Sequence, residues 1–150
     1  MLSRKDYLID HTEVIMYCDT LNISNIIGSF SSMMESYDFP KSLTIIFNGY
    51  NNSLDSLFDI SEFRQANIIK ISTAISKDSI LKFTYSINGL SKLLFTDRSI
   101  LLESNLFDEI SSFYANKEVY NIDLGGNAFF IPHPTSLSYE YKKLNLFRFK

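Results

Sequence analysis

The stretch 80-ILKFTYSINGLSKLLF-95 decides the fold that the sequence predicts. Apolar and polar residues alternate through its first half, which is typical of a half-buried strand. Four side chains then share one face of that strand: Leu81, Phe83, Tyr85 and Ile87. Asn88-Gly89 is a strong hairpin signal, because both residues tolerate the positive φ angles of a two-residue turn. A turn there places Phe83 opposite Leu94, so the stretch predicts an antiparallel hairpin.

The segments on either side extend this hairpin into a meander. Residues 67–75, NIIKISTAI, alternate in the same way, and residues 99–103, SILLE, supply a further strand. The face of the sheet opposite the core would present a polar field with two apolar residues in it: Lys70, Ser72, Lys82, Thr84, Ser86, Ser91, Leu93 and Phe95. Short polar side chains around a small apolar patch suit protein recognition, because they cost little to order on binding. A solvated sheet face with a second element covering Leu93 and Phe95 explains the same pattern.

Two amphipathic helices are predicted at residues 25–37 and 105–115, with apolar residues recurring at three-and-four spacing. An earlier helix is predicted to begin at Ser3, with Asp6 completing a capping-box-like pair. A buried strand is expected over 43–47, a short helix over 54–66, a second hairpin around Gly125-Gly126-Asn127 and a closing strand near the end. Residues 12–18 and 135–143 fit either helix or strand.

The predicted fold class is α+β: an antiparallel meander sheet with two or three helices packed on one face. The chain has 150 residues, 45% of them apolar, which suits a single globular domain over 1–150. No apolar run is long enough to cross a bilayer, and Cys18 has no cysteine partner, so we expect a cytoplasmic protein without membrane association. A net charge of −3 disfavours nucleic acid as a partner.

Few residues carry recognisable chemistry. His133 lies between two prolines, which would hold its ring rigidly, either for proton transfer or merely within a stiff connector. His11 and Cys18 are seven residues apart, so a continuous helix would place them on one side as a candidate nucleophile pair. Because two histidines and one cysteine without close spacing do not form a zinc site, we expect no metal and no cofactor.

The leading hypothesis on function is an inhibitor or immunity-type module that covers the active site of a toxin or another enzyme. The acidic blocks would steer it toward a basic protein partner. The candidate contact residues are five acids: Asp55, Asp59, Glu62, Asp108 and Glu109.

Two alternatives remain open from the residues alone. One is a small hydrolase or transferase that uses His133 or the His11/Cys18 pair. The other is a small-ligand-binding α+β domain with its cavity between the sheet and the helix that carries Met33 and Met34. The identity of the partner and the oligomeric state do not follow from the sequence.

Overall fold

The computed structural model describes residues 3–18, 23–34, 40, 42–49, 66–71, 73, 75–76, 79, 91–102, 105–113, 121–132 and 141–149. These residues contain three helices: α1 (Arg4–Asp10), α2 (Ile23–Met34) and α3 (Leu106–Phe113). They also contain nine strands: β1 (Thr12–Cys18), β2 (Leu43–Asn48), β3 (Asn67–Ile71), β4 (Ser91–Thr96), β5 (Ser99–Leu101), β6 (Asn121–Gly125), β7 (Ala128–Ile131), β8 (Tyr141–Lys143) and β9 (Phe147–Phe149).

The main sheet has seven strands in the order β3-β2-β1-β4-β7-β6-β8. The first four are mutually parallel, because β1 pairs in parallel with β2 and β4, and β2 pairs in parallel with β3. Strand β7 is antiparallel to both β4 and β6, while β6 and β8 are parallel. The sheet is therefore mixed, with a parallel half and a half that contains one reversed strand.

The predicted antiparallel meander is wrong. Strand β4 has β1 on one side and β7 on the other, so neither of its edges is left for a hairpin partner from residues 81–87. Strand β3 likewise lies in parallel beside β2. The hairpin turn at Asn88-Gly89 and the strand before it lie outside the described residues.

Residues 12–18, which fit helix or strand, form the central strand β1. Its sequence TEVIMYC is buried at every position except the half-buried Tyr17. Strand β2, LTIIFN, is buried from Leu43 to Phe47. Near-continuous apolar runs of this kind belong to strands that are covered on both faces, which is the usual condition of parallel sheets.

One face of the sheet carries the larger part of the core. Side chains from β1 and β4 pack there with Ile26, Phe30 and Met33 of α2 and with residues of α3. Leu93 and Phe95 belong to this cluster and are 0% and 1% exposed. Leu93 and Phe95 are therefore covered by other elements, as the solvated-face alternative expects, and they do not form an exposed recognition patch.

The opposite face has a smaller apolar cluster of Ile15, Ile46, Leu94 and Ile131. At the amino ends of the strands this face holds a buried polar group, in which Thr44 donates to Glu13 at 2.5 Å and Glu13 lies beside Lys92 in the β1–β4 register. Lys92 is 2% exposed. Burial lowers the pKa of Lys92, and the charge of Glu13 partly opposes this effect.

A two-stranded ribbon of β5 and β9 is separate from the main sheet. Ser99 pairs with Phe149, and Leu101 pairs with Phe147. The β6–β7 turn packs directly against this ribbon: a Cβ atom on Gly126, whose φ is +53°, would lie 2.6 Å from the carbonyl carbon of Arg148. Glycine is therefore required there, both by the close approach and by the left-handed backbone.

Several local predictions are confirmed. Ser3 caps α1, with its Oγ accepting a hydrogen bond from the amide of Asp6 at 3.1 Å. The Gly125–Asn127 segment turns between the antiparallel strands β6 and β7. The helix predicted over 105–115 is described over Leu106–Phe113, and the closing strand is β9. The predicted 54–66 helix falls outside the described residues for all but its last residue.

Among the described residues, no helix is both long enough and apolar enough to span a bilayer.

Candidate functional site

The carboxyl ends of the four parallel strands meet at one edge of the sheet. The chain passes from β1 to β2 on one side, and β4 takes its place on the other side of β1, so the strand order reverses at β1. In open parallel sheets, ligands bind in the crevice outside the carboxyl ends at such a reversal point. The described residues at this edge are Tyr17, Cys18, Asn48, Gly49, Ile71, Thr96 and Asp97.

Asn48, the last residue of β2, organises one side of this edge. Its Nδ2 donates to the backbone carbonyl of Ile75 at 2.7 Å, and its Oδ1 accepts from the Ile75 amide at 2.9 Å. The same Nδ2 donates to the hydroxyl of Tyr17 at 3.0 Å. One amide side chain therefore holds together the ends of β1 and β2 and the segment that follows β3.

These contacts fix the role of the Tyr17 hydroxyl. A phenol has one proton to donate and oxygen lone pairs to accept. The Asn48 atom next to Tyr17 is Nδ2, which only donates, so the Tyr17 oxygen is the acceptor in this pair. The half-buried phenol, whose ring packs against the smaller apolar cluster, thus keeps its own proton for another acceptor.

The other side of the edge is a tight turn after β4. The Oγ of Ser99 accepts from the amide of Thr96 at 3.2 Å and donates to the carbonyl of Gly126 at 2.6 Å. The Oγ1 of Thr96 accepts from the amide of Arg98 at 3.1 Å. These bonds close the turn around Asp97 and tie it to the β6–β7 hairpin.

Asp97 is 1% exposed and is held by its backbone from two directions. Its amide donates to the carbonyl of Tyr17 at 3.2 Å, which extends the β1–β4 pairing by one residue. Its carbonyl accepts from the Oγ of Ser29 on α2 at 2.7 Å. The turn after β4 is therefore positioned by strand β1 and helix α2 together, with the half-exposed Arg98 next to it.

The structure does not bring His11 and Cys18 together. They stand at opposite ends of β1, which is a strand and not the continuous helix that would have aligned them. At ~3.3 Å per residue, seven residues of strand separate them by about 20 Å. His11 stacks on Tyr7 at the amino end, with ring centroids 4.1 Å apart, while Cys18 is a buried free thiol at the carboxyl end. His133 lies outside the described residues.

The acids predicted to contact a partner are only partly described. Asp108 forms an ion pair with Lys5 at 3.1 Å, which links α3 to α1. Glu109 accepts from the side chain of Asn105 at 3.3 Å, within the first turn of α3. Both acids therefore have local partners on the helical side of the protein. The other three, Asp55, Asp59 and Glu62, lie outside the described residues.

Sequence reasoning missed Tyr17, Asn48 and Asp97, which the structure gathers at one edge. A signal for them exists, because each stands at or just after the end of an apolar run: VIMYC, LTIIFN and KLLFTD. Polar residues at the ends of buried parallel strands are where ligand contacts concentrate. That signal has meaning only once the strands are recognised as parallel.

No protein-family model matches the sequence, and no curated protein is recognisably similar to it. Solved structures do share its fold. A mannosyltransferase from Pyrobaculum calidifontis, in complex with GDP-Man and Mn²⁺, matches 75% of this chain with a TM-score of 0.58 and 10% identity. A cytidylyltransferase from Leptospira borgpetersenii serovar Hardjo-bovis matches 82% of this chain with a TM-score of 0.53 and 10% identity.

This chain spans 34% of the mannosyltransferase and 60% of the cytidylyltransferase. At such low identity the likeness establishes a fold, which is the Rossmann-like arrangement of these transferases. The predicted inhibitor or immunity-type module is contradicted on two grounds. The fold is one that two transferases share, and Leu93 and Phe95 of the face that was to bind a partner are buried in the core with the helices. The chain is thus a mostly parallel, Rossmann-like sheet with Tyr17, Asn48 and Asp97 at the carboxyl edge of its parallel strands.

Proposed function

We propose that this chain is the nucleotide-binding part of a transferase that moves a group from a nucleotide-activated donor. The observation that carries the proposal is the reversal of strand order at β1, which is where open parallel sheets bind ligands, with Tyr17 and Asp97 joined by a hydrogen bond at that edge. Two structures with this fold support it, because one is a mannosyltransferase in complex with GDP-Man and the other is a cytidylyltransferase.

Transfer of a sugar from a nucleotide sugar is the leading form of the reaction. The donor's diphosphate would lie over the carboxyl ends of β1 and β4, where helix α2 and the β4 turn meet. Arg98 supplies positive charge at that turn, and a guanidinium pairs well with phosphate oxygens. The leaving group of such a reaction is a nucleoside diphosphate, so neutralising its charge lowers the barrier.

The mannosyltransferase complex contains Mn²⁺, and in this chain Asp97 is an acid that directly follows β4 at the carboxyl edge of the sheet. The described residues contain no group of three or more His, Cys, Asp or Glu arranged around a metal. The Asp97 carboxylate is a hard oxygen ligand, and cations of this class bind through one or two carboxylates plus phosphates and water. Asp97 therefore fits the role of holding such an ion, which would supply charge neutralisation at the diphosphate.

Nucleotidyl transfer is the second candidate. It is favoured by the cytidylyltransferase, which covers more of this chain than the mannosyltransferase does. The same crevice would then hold a nucleoside triphosphate. The two reactions differ in which phosphate bond breaks, so the products distinguish them: a nucleoside diphosphate from sugar transfer, and pyrophosphate from nucleotidyl transfer.

The test is calorimetric titration of the full chain with UDP, GDP, CDP and ADP, with Mn²⁺ and again with EDTA. We expect at least one nucleotide to bind, and Asp97→Asn to remove the Mn²⁺-dependent part of the affinity. Asp108→Asn is the matched control, because that acid lies on α3 and pairs with Lys5. If no nucleotide binds under either condition, the proposal is wrong. Detecting diphosphate or pyrophosphate release would then assign the reaction.

A further inference from the structure

The proton of the Tyr17 hydroxyl has no acceptor among the described residues. The hydrogen bond that this hydroxyl makes comes from Asn48, in which the phenol oxygen accepts at 3.0 Å. The two bonds to Ile75 fix the orientation of the Asn48 amide, so the atom that faces Tyr17 is Nδ2, which can only donate. A half-buried phenol held in this way presents a single donor in a fixed direction relative to the strand ends.

An apolar surface adjoins this donor. The backbone of Ile75 is clamped by both atoms of the Asn48 amide, while its side chain is 42% exposed. The Tyr17 oxygen and the Ile75 carbonyl are both within hydrogen-bonding distance of the same nitrogen, so the donor and the isoleucine are close neighbours. An exposed aliphatic side chain beside one hydrogen-bond donor is the combination with which proteins contact the face and the edge of a planar ligand.

We propose that the Tyr17 hydroxyl, oriented by Asn48, donates a hydrogen bond to a keto oxygen of the nucleobase, and that Ile75 supplies the apolar surface beneath the base. This inference rests on the proposed nucleotide-binding function and adds specificity to it. A donor selects acceptors, so uracil or guanine oxygens are favoured over the amino group of adenine. Rejection of a base that presents an amino group at that position follows from leaving the half-buried donor without a partner.

The base would then lie over the carboxyl ends of β1 and β2, and the diphosphate would lie toward the end of β4. Asn48 acts as a positioning residue here, because it touches Tyr17 and Ile75 and not the base. Its amide fixes both the donor and the apolar wall, so that their relative geometry is set before the ligand arrives. Preorganisation of this kind reduces the entropy lost on binding.

The experiment measures the binding of UDP, GDP, ADP, ribose 5-phosphate and pyrophosphate to wild type, Tyr17→Phe and Ile75→Ser by calorimetry. We expect wild type to prefer UDP or GDP to ADP. Tyr17→Phe should weaken the preferred nucleotide by about 5- to 30-fold, the factor for one lost hydrogen bond. It should leave ADP, ribose 5-phosphate and pyrophosphate unchanged. Ile75→Ser should weaken all three nucleotides by a similar factor and leave pyrophosphate unchanged.

Tyr7→Phe is the control, because Tyr7 is 54% exposed on α1 and lies at the opposite end of β1. Thermal melting establishes that each variant is folded. Unchanged UDP and GDP binding in Tyr17→Phe would overturn the inference and leave the nucleotide-binding proposal intact. Equal loss for ADP and pyrophosphate would also overturn it, because the hydroxyl would then contact a phosphate. Absence of nucleotide binding in wild type would instead remove the proposed function itself.

Discussion

The side chain of Asn48 and the backbone of Ile75 are joined by a pair of hydrogen bonds, 2.7 Å from Nδ2 to the carbonyl and 2.9 Å from the amide to Oδ1. This is the pairing that a neighbouring strand would make, supplied here by one side chain. It fastens the segment after β3 to the end of β2. At this part of the carboxyl edge, one side chain therefore holds the segment after β3 against β2.

Asn48→Ala should remove this fastening. We expect a loss of about 1–3 kcal/mol in the free energy of unfolding, because two backbone groups lose their partner. Hydrogen exchange at the Ile75 amide should accelerate strongly, since its acceptor is the Asn48 side chain. Asn145→Ala, at an exposed position between β8 and β9, is the control. Equal exchange rates at Ile75 in both variants would contradict the role assigned to Asn48.

Ser29→Ala should loosen the turn after β4. The Oγ of Ser29 donates to the carbonyl of Asp97 at 2.7 Å, and both residues are buried, so the mutation leaves that carbonyl without this donor. We expect a cost of about 1–3 kcal/mol in urea unfolding. Ser31→Ala provides a matched control on the same helix, because Ser31 is exposed and should change stability little. Similar stabilities for the two variants would show that the bond contributes nothing.

Gly126→Ala should be strongly destabilising, whereas Gly28→Ala should not. At Gly126 the φ angle is +53° and a Cβ would lie 2.6–2.9 Å from the backbone of Arg148, so strain and overlap add. We expect a loss of about 2 kcal/mol or more, since the left-handed region alone costs roughly 1–2 kcal/mol. Gly28 is exposed on α2 with nothing within 4 Å of an added methyl group, so alanine should stabilise by about 0.5–1 kcal/mol. Thermal unfolding of both variants checks the contrast.

The stability difference between wild type and Lys92→Met should depend on pH. Burial lowers the pKa of Lys92 in the folded state below the 10.5 of the unfolded chain. Between the lowered pKa and 10.5 the unfolded chain binds the extra proton, so the wild type gains stability relative to the variant as pH rises. Below that window the difference is constant. Urea unfolding of both proteins from about pH 7 upward measures it, and a difference that falls with rising pH would contradict the assigned burial.

Elements with local signals were predictable from the sequence. The cap at Ser3 and the turn at Gly125–Asn127 depend on residues within a few positions of one another. Helix faces were predictable for the same reason: Ile26, Phe30 and Met33 share a stripe and are buried together. In each case the interacting residues lie within about seven positions of one another in the sequence.

The sheet was not predictable in the same way, because strands pair with partners that are distant in sequence and carry no local signal. Alternation around Asn88-Gly89 favours a hairpin locally, yet β4 pairs with β1 and β7. The continuous run of Leu93, Leu94 and Phe95 was the stronger evidence, since a strand buried on both faces has no polar side to alternate with. Without the parallel order, nothing marked Tyr17, Asn48 and Asp97 as neighbours.

The β5–β9 ribbon pairs Ser99 with Phe149, and the same Ser99 closes the turn around Asp97 and reaches Gly126. During synthesis the parallel strands leave the ribosome well before the partner of β5 does. The ribbon beside the Asp97 turn is therefore completed late, when residue 149 has emerged. A nascent chain can assemble its central sheet early and still lack the strand that pairs with β5.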